Sequence, residues 1–296
     1  MTDSCTQASV RSKEGLLGSA PANTDYWLLI ESRAPFAPKV VKKSPLADTL
    51  RPLTERLITS IPTARVQFIR RPETKKGNGP LHAFVADSRG RTARLFARQF
   101  ETYEELFDIE WNHAQHDRGP NGFSECTVPI VLICTHGKRD ACCALYGRSF
   151  LKGLSDNNRE YVWEASHIGG HRFAATCVTL PFGHYFGRLK PSDANLLVEA
   201  TLQGRLYDTE HFRGSASLPQ AAQIVEGKLR EKHQTLDIEA VQYLGETQQG
   251  AHAFQIAGVD GPQEGTVTSI IRDDVRIKSC GGPPEPFSIH TVTWID

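Results

Sequence analysis

Residues 129–143 read PIVLICTHGKRDACC, and the fold is decided there. The apolar run Pro129 to Ile133 does not alternate, which marks a central parallel strand buried on both faces. The run ends at Cys134, and the carboxyl ends of strands are where functional residues of open α/β sheets gather. Asp140 has the chemistry of a helix N-cap, for a helix running to about Leu154. Downstream, Tyr161 to Glu164 is the next strand. Ala175 to Leu180 and His184 to Leu189 make a hairpin around Pro181-Phe182-Gly183, and Ser192 caps a helix ending before Gly204.

Strand, helix, strand, hairpin and helix, with a polar HIGGH segment (167–171) inserted, is a thioredoxin-like plan of the α/β class on a mixed sheet. Working upstream, Trp27 to Ile30 is a buried strand and Ser44-Pro45 an N-cap and first helical residue. Leu46, Leu50, Leu53, Leu57 and Ile61 then fall at helical spacing, with Pro52 kinking or restarting the helix. Arg65 to Arg71 alternates as a strand, 71–80 is a loop, and His82 to Asp87 with Thr92 to Phe100 forms a hairpin across Ser88-Arg89-Gly90. Thr102 can cap a short helix through Trp111. The two halves share an element order, which raises a diverged duplication without supporting residue identity.

The connection-like stretch Glu110 to Thr127 marks a boundary. The predicted organisation is a loosely held N-terminal arm (1–26), a thioredoxin-like half without metal ligands (27–125), a thioredoxin-like domain carrying the chemistry (126–205) and an α+β appendage (206–296). In the last, Ser217 caps a helix through His233, and Glu239 to Leu244, Ala251 to Ile256, Thr266 to Ile271 and Phe287 to Trp294 alternate as antiparallel strands. Lys278-Ser279-Cys280-Gly281-Gly282 leaves a thiol on a flexible loop able to approach a neighbouring site.

With 296 residues, 39% of them hydrophobic, the chain can bury more than one core. Thirty-four Lys and Arg balance thirty-four Asp and Glu, so no overall field draws it to nucleic acid or an anionic membrane. The opening MTDSCTQASVRSKEG lacks the apolar stretch of a signal peptide, and no run approaches the roughly 18 apolar residues of a membrane span. The cytoplasm is the expected address. Seven cysteines in a chain of this size do not suggest a disulfide framework, and reduced thiols are free to ligate metal.

The chemistry concentrates at Cys134, His136, Cys142 and Cys143, followed by His167 and His171. Thiolates and imidazoles are ligands of iron-sulfur clusters, zinc and copper, and two histidines across a Gly-Gly turn can face a common centre. The plain alternative makes HIGGH an ordinary turn and the cysteines core filler. Cys134-x-His136 imitates half of a Rieske motif, but no Cys-x-x-His follows. No Cys-x-x-Cys opens the helix, and HRFAAT rather than a proline precedes the hairpin, so dithiol exchange is disfavoured.

CTHGKRDACCA (134–144), WEASHIGGHRFA (163–174) and LPFGHYFGRL (180–189) resemble the sucrase/ferredoxin-like family. LLGSAPANTDYWLLIE (16–31) resembles the start of its bacterial members, so the resemblance spans nearly the whole chain. It implies a thioredoxin-like ferredoxin domain with a [2Fe-2S] cluster. In the fungal members the cluster is held by two cysteines with eight residues between them and by both histidines of an HxxxH motif. On this chain those positions are Cys134, Cys143, His167 and His171. The spacing favours Cys143 over Cys142, which becomes a neighbouring or spare thiol. His136 is expected to orient the loop or hydrogen-bond a sulfur. Gly169 and Gly170 either wrap the backbone around the cluster or make a tight turn. Lys138, Arg139 and Arg172 are expected to form a positive rim for an acidic redox partner. No carboxylate pair in a glycosidase setting supports a sucrase activity.

The expected function is a one-electron carrier or redox sensor, not an enzyme with its own organic substrate. Two neutral imidazoles in place of two thiolates leave a less negative cluster, which raises the potential. Their second ring nitrogens link electron to proton transfer, so the potential should fall across the alkaline range. Two alternatives stay open: a structural zinc site on the same Cys2His2 set, and a thiol enzyme using Cys142 or Cys143 at the helix N-terminus.

Overall fold

The computed structural model describes residues 4–71, 79–89, 92–111 and 118–295. Most of the expected 71–80 loop and Gly90 of the hairpin turn lie outside them. The first half runs α1 (Cys5–Arg11), β1 (Tyr26–Glu31), α2 (Pro45–Thr49), α3 (Arg51–Ser60), β2 (Ala64–Arg70), β3 (Leu81–Asp87), β4 (Arg94–Phe100) and β5 (Ser124–Glu125). The second runs β6 (Ile130–Cys134), α4 (Ala141–Lys152), α5 (Asp156–Arg159), β7 (Val162–Ala165), β8 (Cys177–Leu180), β9 (His184–Phe186), α6 (Ala194–Leu202) and β10 (Phe212–Ser215). Then follow α7 (Gln220–His233), β11 (Val241–Glu246), β12 (His252–Ile256), β13 (Gln263–Ile277) and β14 (Pro284–Ile295).

One mixed sheet runs β10-β9-β8-β6-β7-β2-β1-β3-β4-β5, and from its centre outward it is a palindrome. At the centre β2 meets β7 antiparallel, with Ile69 opposite Ala165. Beside them β1 and β6 lie parallel to β2 and β7. Antiparallel β3 and β8 come next, then β4 and β9. The duplication is therefore one of connectivity, and β10 carries the second half past residue 205.

Alternation along β6 sends Val131 and Ile133 to one face and Leu132 and Cys134 to the other. The face holding Cys134 is continuous across the join, through Trp27, Ile69, Trp163, Val178 and Tyr185. On the opposite face α3 packs Leu53 and Leu57 against Leu28 and Phe68, while α4 and α6 cover Val131 and Ile133 with Phe150, Leu197 and Val198.

Pro52 restarts the helix as expected, separating α2 from α3. The helix expected from Thr102 to Trp111 is a single 3-10 turn, Tyr103–Leu106, held by a Thr102/Glu105 capping box. In the appendage α7 begins at Gln220, behind Pro219, and packs Ala222, Val225 and Leu229 on Phe254 and Ile256 of the second sheet, β11-β12-β13-β14.

The N-terminal segment departs most from expectation. A Ser4/Gln7 capping box starts α1, and Cys5 and Ala8 are buried. Buried Glu14 takes Arg172 Nε at 2.8 Å and Arg276 Nε at 3.1 Å, so one carboxylate ties this segment to the HIGGH turn and to β13. A composition of small polar residues hides this, because the anchoring is a distant ion pair.

Candidate metal centre

Cys134 closes β6 with no exposed surface, and its N–H donates to the Thr176 carbonyl at 3.1 Å. Asp140 caps α4 by accepting the Cys142 N–H at 2.9 Å, which places Cys143 in the first helical turn. Gly147 lies against the Cys134 carbonyl, where a Cβ would overlap the oxygen. The missing side chain lets α4 close on the end of β6. As a result the Cys134 and Cys143 sulfurs lie 3.9 and 3.8 Å from Nδ1 of His167, and all three donors fall within 4.8 Å of one another.

Gly169 (φ 109°) and Gly170 (φ 74°) adopt left-handed backbone that side chains resist. A Cβ on Gly170 would also collide with the guanidinium of Arg213, which is fully buried. Arg213 donates to the Gly169 carbonyl at 3.2 Å and to Thr176 Oγ1 at 2.6 Å, and sits 5.3 Å from the rings of Phe173 and Tyr185. Burial pushes its pKa down to about 10, so it stays charged at neutral pH. The Tyr185 hydroxyl donates to the Ile168 carbonyl at 3.1 Å. The turn so held brings the His167 and His171 rings to 5.2 Å, centroid to centroid.

His136 meets the Cys134 sulfur through its backbone N–H, and its ring serves the loop instead. Its Nε2 donates to the Ala37 carbonyl at 2.8 Å, leaving Nδ1 to accept the His167 N–H at 3.1 Å. Burial holds this imidazole below its ordinary pKa, consistent with the neutral tautomer that the two bonds require.

On His171, Nε2 lies 2.8 Å from Ser279 Oγ and 3.7 Å from Asp140 Oδ2, while Nδ1 is buried with no hydrogen-bond partner among the described residues. His171 falls outside the group of donors within 4.8 Å of one another, but an unpartnered buried imidazole nitrogen is a donor that a metal would complete. A hydrogen bond from Cys143 holds the Cys134 thiol well below its usual range against the opposing effect of burial, with His167 adding to the shift. The same hydrogen bond and burial push Cys143 up. Binding a cation would draw the protons off both sulfurs.

The structure brings Cys134, Cys143 and His167 together and sets His171 at their edge. Cys142, expected as a spare thiol near the site, turns its sulfur away to Cys5 and Cys280. Lys138 and Arg139 are exposed as a rim requires, but Arg172 is not part of one: it pairs with Glu14 and stacks on Phe173 at 4.2 Å. Gly169 and Gly170 serve the turn and its approach to Arg213. Arg213 and Ser279 carry no motif; both act through contacts with residues far away in the chain.

Among the described residues no helix is long and apolar enough to cross a membrane. The chain is similar to fungal proteins called altered inheritance of mitochondria protein 32. It is 30% identical to the Meyerozyma guilliermondii protein over 100 residues, 30% of this chain and 36% of that one. With the Debaryomyces hansenii protein the identity is 22% over 193 residues, 61% of this chain and 67% of the relative. With the Saccharomyces cerevisiae protein it is 33% over 104 residues, 29% and 32% of the two chains. The first and third matches thus span about a third of those relatives' lengths. No solved structure matches the chain. The description sucrase/ferredoxin-like matches residues 16–214, which hold nearly all of the ten-stranded sheet and the Cys/His centre, and the chain belongs to that family.

Proposed function

We propose that the chain is a one-electron carrier or redox sensor that holds a [2Fe-2S] cluster on Cys134, Cys143, His167 and His171. One observation carries the reading: the two sulfurs converge on Nδ1 of His167 while the buried Nδ1 of His171 lacks a partner, in a ferredoxin-like chain. When bound, such a cluster supplies a reversible one-electron couple whose potential half-histidine ligation raises.

The chain's own residues do the rest. Cys134 and Cys143 bring negative charge from a fully buried position, which keeps water from the sulfurs. With Nδ1 of His171 given to a metal, its Nε2 holds the proton, donates to Ser279 Oγ and faces the Asp140 carboxylate. His136 fixes the His167 backbone, and Arg213 fixes the turn between the histidines. His167 is half-buried, so its ring is an edge through which charge can leave, and exposed Lys138 and Arg139 offer a face to an acidic redox partner.

The spacing of the three converging donors also suits a single tetrahedral zinc ion, which is the second reading. A thiol enzyme is opposed by burial, since Cys142 and Cys143 are 1% and 0% exposed. Anaerobic purification followed by metal and sulfide analysis tests the proposal. Equimolar iron and acid-labile sulfide, lost in Cys134→Ser and Cys143→Ser, is the expected result. A colourless protein whose zinc is lost in those variants overturns it in favour of the second reading.

A further inference from the structure

Three cysteines from the two ends and the middle of the chain meet beside the centre described above. The Cys5 sulfur, at the start of α1, lies 3.4 Å from that of Cys142 in α4. Cys142 lies 3.3 Å from Cys280, which stands between β13 and β14, and Cys280 lies 3.5 Å from Cys5, closing the triangle. Asp140 Oδ1 is 3.6 Å from the Cys5 sulfur, and the four side chains offer donor atoms all within 4.8 Å of one another. The pairs are 137, 138 and 275 residues apart in sequence.

We propose that Cys5, Cys142, Cys280 and Asp140 form a second metal site, which binds one zinc ion and clamps both ends of the chain onto α4.

The carboxylate is aimed and its position fixed. The N–H groups of Cys142 and Cys280 donate to its two oxygens, each at 2.9 Å. Cys5 and Cys142 are 0% and 1% exposed and Asp140 6%, so a carboxylate and three sulfurs face one another largely out of water. A cation is the group that such an arrangement accommodates best. None of the three is in a disulfide, whose S–S bond is about 2.05 Å. A tetrahedron with Zn–S bonds of about 2.3 Å has edges of about 3.8 Å, so the triangle need open only by a few tenths of an ångström. Three thiolates alone would suit copper(I) equally, but a hard carboxylate as fourth donor favours zinc. On binding, the thiol protons pass to solvent and each sulfur lone pair bonds the ion, with no change of oxidation state.

The site does not rest on the cluster reading, because none of its sulfurs is among the cluster's donors. It would nevertheless support that centre: Ser279, which touches His171, precedes Cys280, and Asp140 faces His171 at 3.7 Å.

Metal analysis of the full chain, by mass spectrometry of wild type, Cys5→Ser, Cys280→Ser and the double variant Cys134→Ser/Cys143→Ser, tests the site. About one zinc per chain should be present in wild type, fall to near none in Cys5→Ser and Cys280→Ser, and persist in the double variant while iron is lost. Zinc unchanged by the Cys5 and Cys280 substitutions overturns the proposal, as does copper in its place or a disulfide between two of these cysteines in protein alkylated without reductant. If the single variants do not fold, zinc-edge X-ray absorption on wild type decides. A shell of three sulfurs and one oxygen supports the site, and a shell containing imidazole nitrogen refutes it.

Discussion

Cys142 and Cys143 are adjacent in sequence yet point their sulfurs into different clusters, Cys143 to His167 Nδ1 at 3.8 Å and Cys142 to Cys280 Sγ at 3.3 Å. Successive helical residues are separated by about 100° around the axis, so a Cys-Cys pair in a first turn must serve two directions. Cys143→Ser should therefore remove iron and sulfide, while Cys142→Ser should leave the visible spectrum nearly intact, because a neutral hydroxyl replaces only the sulfur on the far side. Absorption spectra and iron content of the two variants check this. The reverse outcome would move the ligand by one residue.

Gly147 permits the close approach of α4 to Cys134. In an ordinary exposed helix Gly→Ala gains about 1 kcal/mol. Here the added Cβ would overlap the Cys134 carbonyl, and overpacking of that kind costs about 1–3 kcal/mol. Gly147→Ala should lose on the order of 1 kcal/mol net in urea unfolding and retain less iron than wild type. A stabilised variant with full iron would show that α4 has room to spare.

What was legible in the sequence was local. The unalternating run before Cys134, the Asp140 cap and the Gly-Gly turn are each written in a few consecutive residues, and all appear where expected. The connectivity of each half was legible for the same reason. The join between β2 and β7 was not, because strands buried on both faces carry no mark of their neighbour. Glu14, Arg213 and Cys5 escaped likewise: an acidic residue in a polar segment, an arginine in FRGS and a lone cysteine near the start look ordinary until the chain is closed.

Ser279 is 108 residues from His171 in sequence and 2.8 Å from its Nε2. Removing a partner that orients a metal-binding imidazole typically weakens metal retention about 10–100-fold. Ser279→Ala should thus lose iron to a chelator within that range of concentrations, whereas Ser279→Thr, which keeps the hydroxyl, should resemble wild type. Chelator titrations followed by absorbance measure both. Equal retention by all three proteins would mean that Asp140 and the Lys278 backbone suffice to orient the ring.

His184 gives a pH dependence of its own, outside the candidate metal centre. It lies in β9 between Phe182, stacked at 5.9 Å, and Phe212, edge-on at 5.8 Å. Burial, with a smaller contribution from Arg230 of α7, pushes its pKa down to about 3. Arg230 is itself paired with Glu226 of the same helix at 3.2 Å, so that carboxylate is already engaged. The folded pKa is depressed below the unfolded value of about 6.5, so between these values the unfolded chain binds the extra proton. The resulting stability is complete above about pH 6.5 and is lost as pH falls toward 3, at about 1.4 kcal/mol per pH unit. From pH 6.5 to pH 5 wild type should lose roughly 1.5 kcal/mol that His184→Gln does not, since an amide takes up no proton. Urea unfolding of both proteins at several pH values reads the difference directly. Parallel curves would show that a proton can reach the ring without unfolding the strand.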